Sequence, residues 1–521
     1  MTSANHEVLR NAMRTAALVA IAALLLLPAK AQAQAREMPP ARPQTIRLHP
    51  ANPHYFLFRG KAVALITSGE HYGAVLNKDF DYRRYLDALQ ADGLNYTRLF
   101  AGSYVEVPAK SFGILHNDLA PEPGRFLAPW VRSDTPGYAG GGNKFDLEKW
   151  DEEFFTRYRD FLAEAAKRGI VVEVTLFSAH YGEAQWQMTA LNPANNINTT
   201  DAIDWKQLNT LKNGNILQHQ ETYTRKIVRE ANTFDNVIFE IQNEPWSDRP
   251  VLADVINPYL RQPARDTYPN SVDFPDELAM AWQARVSQWI TTEESALPNH
   301  HLVAQNYSNF RASIRKLLPG VDVVNFHYAY PDAFTLNYGL GKPIAYDETG
   351  FLGRDDDAYR RQAWNFMLSG GSAFDSLDYS FTVGHEDGSY SEQNGPGGGS
   401  AVLRHQLQIL SQFLQSFSLV ALQPDTRTVK HAAGVTARVL SSVGKEYAVY
   451  LDGNGPAELT LELPPGNYSA EWLNVATGKI EQWEKFTHKG GDKVLQAPKF
   501  QSGIALRLKR TPSPTRTPPQ R

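Results

Sequence analysis

Eight short runs of β-branched and aromatic residues recur along the chain, each separated from the next by a longer amphipathic stretch. They are Val63–Thr67, Leu94–Phe100, Val171–Phe177, Asn236–Ile241, Leu302–Asn306, Val321–Phe326, Pro343–Tyr346 and Ser372–Leu377. A strand followed by a helix, repeated, brings successive strands into parallel register. Two of the intervening stretches stop at glycine, in Ala91-Asp92-Gly93 and Lys167-Arg168-Gly169, where the left-handed cap conformation costs little. Phe154 to Arg168 is the clearest helix, with Phe154, Phe155, Tyr158, Phe161, Leu162 and Ala165 at helical spacing. Eight such units predict an α/β fold, a (β/α)8 TIM barrel. The alternative, an open doubly wound sheet, calls for a Gly-rich phosphate turn after the first strand. None stands there: Gly140–Gly142 and Gly395–Gly399 lie in loop sequence.

After about residue 415 the rhythm changes. Strands become short and close together, at Gly434–Leu440, Glu446–Leu451, Glu458–Leu463, Gly466–Trp472 and Ile504–Lys509. Turn sequences such as Asp452-Gly453-Asn454-Gly455 and Pro464-Pro465-Gly466-Asn467 separate them. This predicts a small antiparallel β-sandwich. The expected domains are a barrel over 51–415 and a sandwich over 416–510. A Pro-rich tail follows over 511–521, read as disordered.

At the other end, Arg10 and Arg14 precede an apolar run from Ala16 to Leu27. The run is shorter than the roughly 20 residues that span a bilayer. Ala31-Gln32-Ala33 then offers a small-x-small cleavage site. Residues 1–33 read as an export signal and 34–50 as a linker, so the mature chain is expected in the periplasm or outside the cell, free of the membrane. It has no cysteine, which excludes disulfides, thiolate metal sites and a cysteine nucleophile. A net charge of −4 gives no reason to expect nucleic acid as a partner. Ten Trp and 23 Tyr leave rings to spare for stacking on sugars.

In a barrel of this kind chemistry sits at the C-terminal ends of the strands. The second strand carries Arg98 and the third runs into His180. The fourth ends Gln242-Asn243-Glu244-Pro245, the sixth His327-Tyr328 and the seventh Tyr346-Asp347-Glu348. Glu70-His71-Tyr72 follows the first. Strands four and seven face each other across the mouth, so Glu244 and Glu348 form a pair of facing carboxyls. Glycosidic cleavage needs such a pair, one protonated and one ionised. Period-2 alternation puts Glu240 on the face of Glu244, where burial would demand a cation such as Arg98. Long loops, Gly102–Phe145 and Ser178–Leu217, carry aromatic residues above the mouth, and Trp186 is the first choice for a sugar-stacking wall.

These motifs resemble the clan A retaining glycoside hydrolases, and most of all the cellulase-like family 5 group. The Asn243-Glu244-Pro245 triplet and Glu348 at the end of strand seven carry the likeness over roughly residues 50–415. The resemblance implies that Glu244 is the general acid/base and Glu348 the nucleophile. It further implies that Arg98 keeps Glu348 ionised, that Asn243 bonds the sugar 2-hydroxyl, and that His180 matches a strand-three histidine. Glu348 beside Arg98 is then expected to keep a low pKa, and Glu244, facing that charge, to be pushed up. Tyr328 or Tyr330 could donate to Glu348. The chain departs from the family pattern in two places. Tyrosine follows His327 directly instead of after one residue, and no tryptophan ends strand eight, where Asp375-Ser376-Leu377-Asp378-Tyr379 stands. Asp375 or Asp378 could bind sugar hydroxyls. The C-terminal region, with Gly466-Asn467-Tyr468 through Trp472 and Thr477-Gly478, resembles a β-sandwich module of the collagen-binding type. No cofactor or metal is called for; the partner is a poly- or oligosaccharide. The alternatives are a carbohydrate-binding protein without turnover and a metal-dependent barrel hydrolase.

Overall fold

The computed structural model describes residues 44–512, apart from 70–71, 109–110, 255–270 and 392–396. The expected export signal, the first part of the expected linker and most of the tail lie outside the described residues. Eight parallel strands form one sheet: β1 (Leu65–Ile66), β2 (Tyr96–Phe100), β3 (Val171–Ser178), β4 (Val237–Asn243), β5 (Leu302–Asn309), β6 (Val323–His327), β7 (Ile344–Glu348) and β8 (Ala373–Phe374). From β2 to β8 each pairs with the next strand, and β8 pairs with β1. The seam between β1 and β2 is bridged by Asn95, whose own N–H also donates to the Ile66 carbonyl at 3.4 Å. Asn95 accepts from the Ile66 N–H at 2.8 Å and donates to the Ala64 carbonyl at 2.9 Å. The barrel predicted from the eight runs is therefore the fold observed.

Helices α1 (Tyr82–Ala91), α2 (Glu152–Lys167), α3 (Ile216–Ala231) and α4 (Glu277–Glu294) follow the first four strands. Helices α5 (Pro331–Asn337), α6 (Asp356–Met367) and α7 (Ala401–Gln415) follow the last three. The chain runs from β5 to β6 through an irregular segment. Local chemistry explains the starts. Asp81, Asp151 and Asp276 each accept from backbone N–H groups in the first turn of their helix, satisfying donors that would otherwise have no partner. Among the described residues no helix is long and apolar enough to cross a membrane.

The N-terminal boundary differs from expectation. Ile46 is fully buried and its N–H bonds the Asp235 carbonyl at 2.8 Å. Arg47–His49 pairs with Asn52–Phe58, which pairs with Lys61–Val63. Ile46, Phe56 and Phe58 pack on Leu65, Tyr96, Val171 and Ile238 at the N-terminal ends of the barrel strands. The last part of the expected linker is thus a plug under the barrel floor. Apolar side chains spaced among polar ones hid it in a stretch rich in Pro and Arg.

The C-terminal region forms two antiparallel sheets around a core that includes Val449, Leu459, Trp472, Leu495 and Leu506. Besides the short strands Gln423–Pro424 and Val429–Ala432, two longer ones, Ile480–His488 and Gly491–Ala497, were not anticipated. Their residues are largely exposed or half-buried, so the apolar alternation is weak. The sandwich also shares a core with the barrel. Trp364 of α6 stacks near Tyr450 at 5.4 Å and Phe413 of α7 at 5.2 Å. Arg361 of α6 holds Asp452 with contacts of 2.7 and 3.2 Å. A shared apolar seam couples the two parts. Trp364→Ala is expected to cost about 3–5 kcal/mol. Chemical unfolding should show barrel and sandwich signals moving together to a lower midpoint.

Candidate active site

Arg98 leaves β2 pointing into the barrel, fully buried. One guanidinium nitrogen bonds both oxygens of Glu240 from β4, at 2.9 and 2.8 Å, and Asn243 Oδ1 at 3.1 Å. The Nε lies 3.5 Å from Asp347 and the other terminal nitrogen 3.4 Å from Glu348. Arg98 therefore ties β4 to β7. Glu240 is the buried carboxylate that alternation predicted, with Arg98 as its cation. Thr175 and Asn306 complete its shell with short hydrogen bonds.

Adjacent residues of a regular strand face opposite ways, yet several adjacent pairs here face the same way. Irregularities in the strands make this possible. In the β6–β7 ladder Phe326 pairs with Tyr346 and His327 with Glu348, so Asp347 is an extra residue that lets it and Glu348 both turn inward. Tyr328 follows His327 with φ of 52°, in the left-handed region, and swings back to the mouth. This is how consecutive His and Tyr serve one cavity. Glu244 has φ of 47° and leaves the extended line beyond Asn243, with its N–H held by Asn306 at 3.0 Å.

Glu348 accepts from two tyrosines, Tyr328 at 2.8 Å and Tyr72 at 2.6 Å. Tyr328 rather than Tyr330 makes the contact. Tyr72 in turn accepts from Arg98 at 2.5 Å. His327 lies between the two facing carboxyls, its Nδ1 3.0 Å from Glu244 and 3.5 Å from Glu348. A carboxylate oxygen of Glu244 and one of Glu348 fall within 4.8 Å of each other. Asn243 donates to the Tyr181 hydroxyl at 2.9 Å, and Tyr181 also bonds Glu244.

Burial pushes His327 down, but the charges of Glu348 and Asp347 and its bonds to Asp347 and Glu244 raise it well above the usual histidine range. It is an imidazolium at neutral pH. Burial pushes Glu244 up, but the His327 bond and charge outweigh it and leave the carboxyl below its ordinary value. The expectation that Glu348 would raise Glu244 is reversed, because a cation stands between the two. The groups of Glu244, His327 and Glu348 are close enough to surround a cation. The imidazolium supplies that positive charge itself.

The other predicted residues are placed as follows. His180 is buried behind Tyr104, bonds Thr189 at 2.9 Å and is lowered to about 3 by burial. It reaches neither carboxyl. Trp186 is also buried, edge-on to His180 at 6.1 Å, and does not line the cavity. It packs the loop beneath the wall and is not a sugar platform. Asp378 lines the cavity with its carboxylate held by Ser68 at 2.9 Å and Arg404 at 3.1 Å. Asp375 accepts from the Gly69 N–H at 3.2 Å, and burial raises it well above the ordinary range. Glu70 and His71 lie outside the described residues. The rings that do line the cavity include Tyr72, Tyr104, Phe112, Tyr181, Phe351 and Tyr379. Asp347, Asn306 and Glu106 were not singled out from the sequence; period-2 alternation hides the first, and the others carry no local signal. Tyr181 was expected only as one of the aromatic residues in the long loop after β3.

No protein-family model and no curated protein matches the chain at the level of sequence. Solved structures do match. One, described as a glycoside hydrolase, has a TM-score of 0.58 at 12% identity over 90% of this chain and 97% of its own. A glycoside hydrolase of family 5 from Bacteroides vulgatus has a TM-score of 0.57 at 12% identity over 89% and 94%. A second protein of that organism, provisionally assigned as a glycoside hydrolase, has a TM-score of 0.60 at 12% identity over 90% and 82%. The fold is that of these glycoside hydrolases. It extends over barrel and sandwich together.

One buried carboxyl next to the site makes a pH test. Glu173 of β3 bonds Asn325 at 2.7 Å, and burial, with the charges of Glu240 and Asp347, raises it to about 8. It holds a proton in the folded chain where the unfolded chain has lost it. Folded stability should therefore fall as pH climbs from about 5 to about 8. Glu173→Gln should flatten that fall in denaturant titrations at pH 5, 6.5 and 8.

Proposed function

We propose that the protein is an exported glycoside hydrolase that cleaves O-glycosidic bonds of a poly- or oligosaccharide with retention of configuration. Glu348 is the nucleophile and Glu244 the acid/base. The observation that carries this reading is the pair of facing carboxyls, with oxygens within 4.8 Å. That proximity suits direct attack, for which the two groups stand about 5–5.5 Å apart. Export rests on the N-terminal sequence alone.

The residues divide the work. Arg98 and the hydroxyls of Tyr72 and Tyr328 hold Glu348 in one orientation. Glu348 attacks the anomeric carbon as the leaving oxygen departs. That oxygen needs a proton, and the site keeps one on the hydrogen-bonded Glu244–His327 pair. Glu244 delivers it while His327 Nδ1–H resupplies the carboxyl. In the second step Glu244 takes a proton from water, which attacks the glycosyl ester. Asn243, held by Arg98 and Tyr181, is placed to bond the sugar 2-hydroxyl.

Glu348→Ala should reduce turnover of an aryl glycoside by about 10⁴-fold or more, since the step loses its nucleophile. Azide should restore activity to that variant and give the inverted glycosyl azide. Glu244→Gln should slow substrates with poor leaving groups far more than activated ones. Full activity of Glu348→Ala on any glycoside would overturn the nucleophile assignment. An inverted product from the wild-type chain would overturn retention.

A further inference from the structure

The rings that line the cavity are held in two ways. Tyr72, Tyr104, Tyr181 and Tyr328 are tied to the site by their hydroxyls: Tyr72 and Tyr328 to Glu348, Tyr104 to Glu106 and Tyr181 to Asn243. The lining phenylalanines have no such handle. Phe100 and Phe381 are only 3% exposed and serve packing. Phe351, by contrast, is 54% exposed, more than any other phenylalanine of the lining. It stands three residues after Glu348, on the loop that leaves β7.

That loop is a fixed mount. Before the ring, the Thr349 carbonyl accepts from the Leu377 N–H at 3.0 Å. The Thr349 hydroxyl accepts from Tyr346 at 2.8 Å and donates to Gln362 at 2.6 Å. Gly350 packs so closely that an added Cβ would stand 2.8 Å from Leu377. After the ring, the buried Tyr359 hydroxyl accepts from the Leu352 N–H at 3.3 Å and donates to the Gly353 carbonyl at 2.6 Å. Between these ties Phe351 has φ of 63°, in the left-handed region. A bulky side chain there is strained, and an apolar ring left in water gains nothing from burial. Both costs are borne at one residue that faces the cavity. Its ring meets Tyr328 near-perpendicularly, at 5.4 Å and 74°. Such a contact covers an edge or one face at most, so a flat face is left open.

We propose that Phe351 is the stacking platform of the substrate site and takes the C–H face of a sugar unit next to the one that Glu348 attacks. This rests on the glycosidase reading above. A sugar ring with equatorial hydroxyls presents C–H bonds on its faces, which suit the electron-rich face of an aromatic ring. Tyr328 fixes the position: its hydroxyl holds Glu348 at 2.8 Å and its ring meets Phe351. The platform therefore lies beside the point of cleavage and contributes to binding rather than to the bond-breaking step.

The test uses the full chain and a panel of linear tetrasaccharides of gluco, manno, galacto, xylo and arabino configuration. Binding is measured calorimetrically on Glu244→Gln, with and without a second substitution at Phe351, and turnover is followed with Glu244 intact. Phe351→Ala should weaken the sugar that binds by at least tenfold and raise KM about 10- to 30-fold, with kcat changed less than threefold. Phe351→Leu keeps apolar bulk without a flat face and should behave as Phe351→Ala does. Phe351→Tyr and Phe351→Trp should recover most of the affinity. The ring lies outside the core, so all four variants should keep the unfolding midpoint of the unsubstituted chain. Affinity within twofold for Phe351→Ala, full affinity for Phe351→Leu, or a fall in kcat with KM unchanged would overturn the platform and leave the glycosidase reading standing. Ring-dependent binding without turnover of any sugar would do the reverse. No binding by any sugar would overturn both.

Discussion

Arg98 is the constraint on which the site depends. A fully buried guanidinium is tolerable only with its charge answered on several sides. Here the answering groups come from β4 and β7, the two strands that carry the facing carboxyls. Among the described residues, Glu173, Glu240, Glu244, Asp347, Glu348 and Asp375 are all buried near two cations, Arg98 and His327. The carboxyls outnumber the positive charges, so some must keep protons. Glu173 and Asp375 are pushed up by burial, and so is Glu240 despite its bonds to Arg98. Asp347, which touches both cations, is pulled below its ordinary value despite burial.

The sequence made the skeleton of this arrangement legible and left its joints hidden. All eight barrel strands follow from runs of β-branched residues, because a buried parallel strand must be apolar on both faces. Glu244, Glu348, Arg98, Asn243 and Tyr328 follow from their places at strand ends. Asp347 does not, since alternation assigns it the opposite face from Glu348 and only the extra residue in β7 turns both inward. A left-handed backbone at Tyr328 likewise turns it to the cavity although it follows His327 directly.

Aromatic residues were the least legible. A tryptophan in a long loop is chemically suited to stacking on sugar and equally to packing, and sequence does not separate the two. Trp186 went to packing, beside His180 and under Tyr104. The exposed rings are phenylalanines, Phe112 and Phe351, and both have positive φ, as does Tyr181. Such conformations cost energy for a bulky side chain and are kept where the surroundings hold them. Here all three rings line the cavity, which a pattern-based reading of propensity cannot foresee.

The sandwich has a physical part in this even without a ligand of its own. It grips α6 through Asp452 and packs Tyr450 on Trp364, which Phe413 of α7 meets from the barrel side. Helix α6 lies directly after the strand that bears Glu348. Helix α7, which shares this core, sends Arg404 to Asp378 and Ser380 in the β8 loop. That loop lines part of the cavity and meets the β2 loop where the Val383 N–H bonds Asp118. A chain of contacts therefore runs from the sandwich to the cavity. Loops that line a cavity need a rigid backing, because their own contacts are a handful of hydrogen bonds. In this molecule the backing is the face where the two domains share a core, and the accessory sandwich is better understood as part of the frame of the site than as an appendage to it.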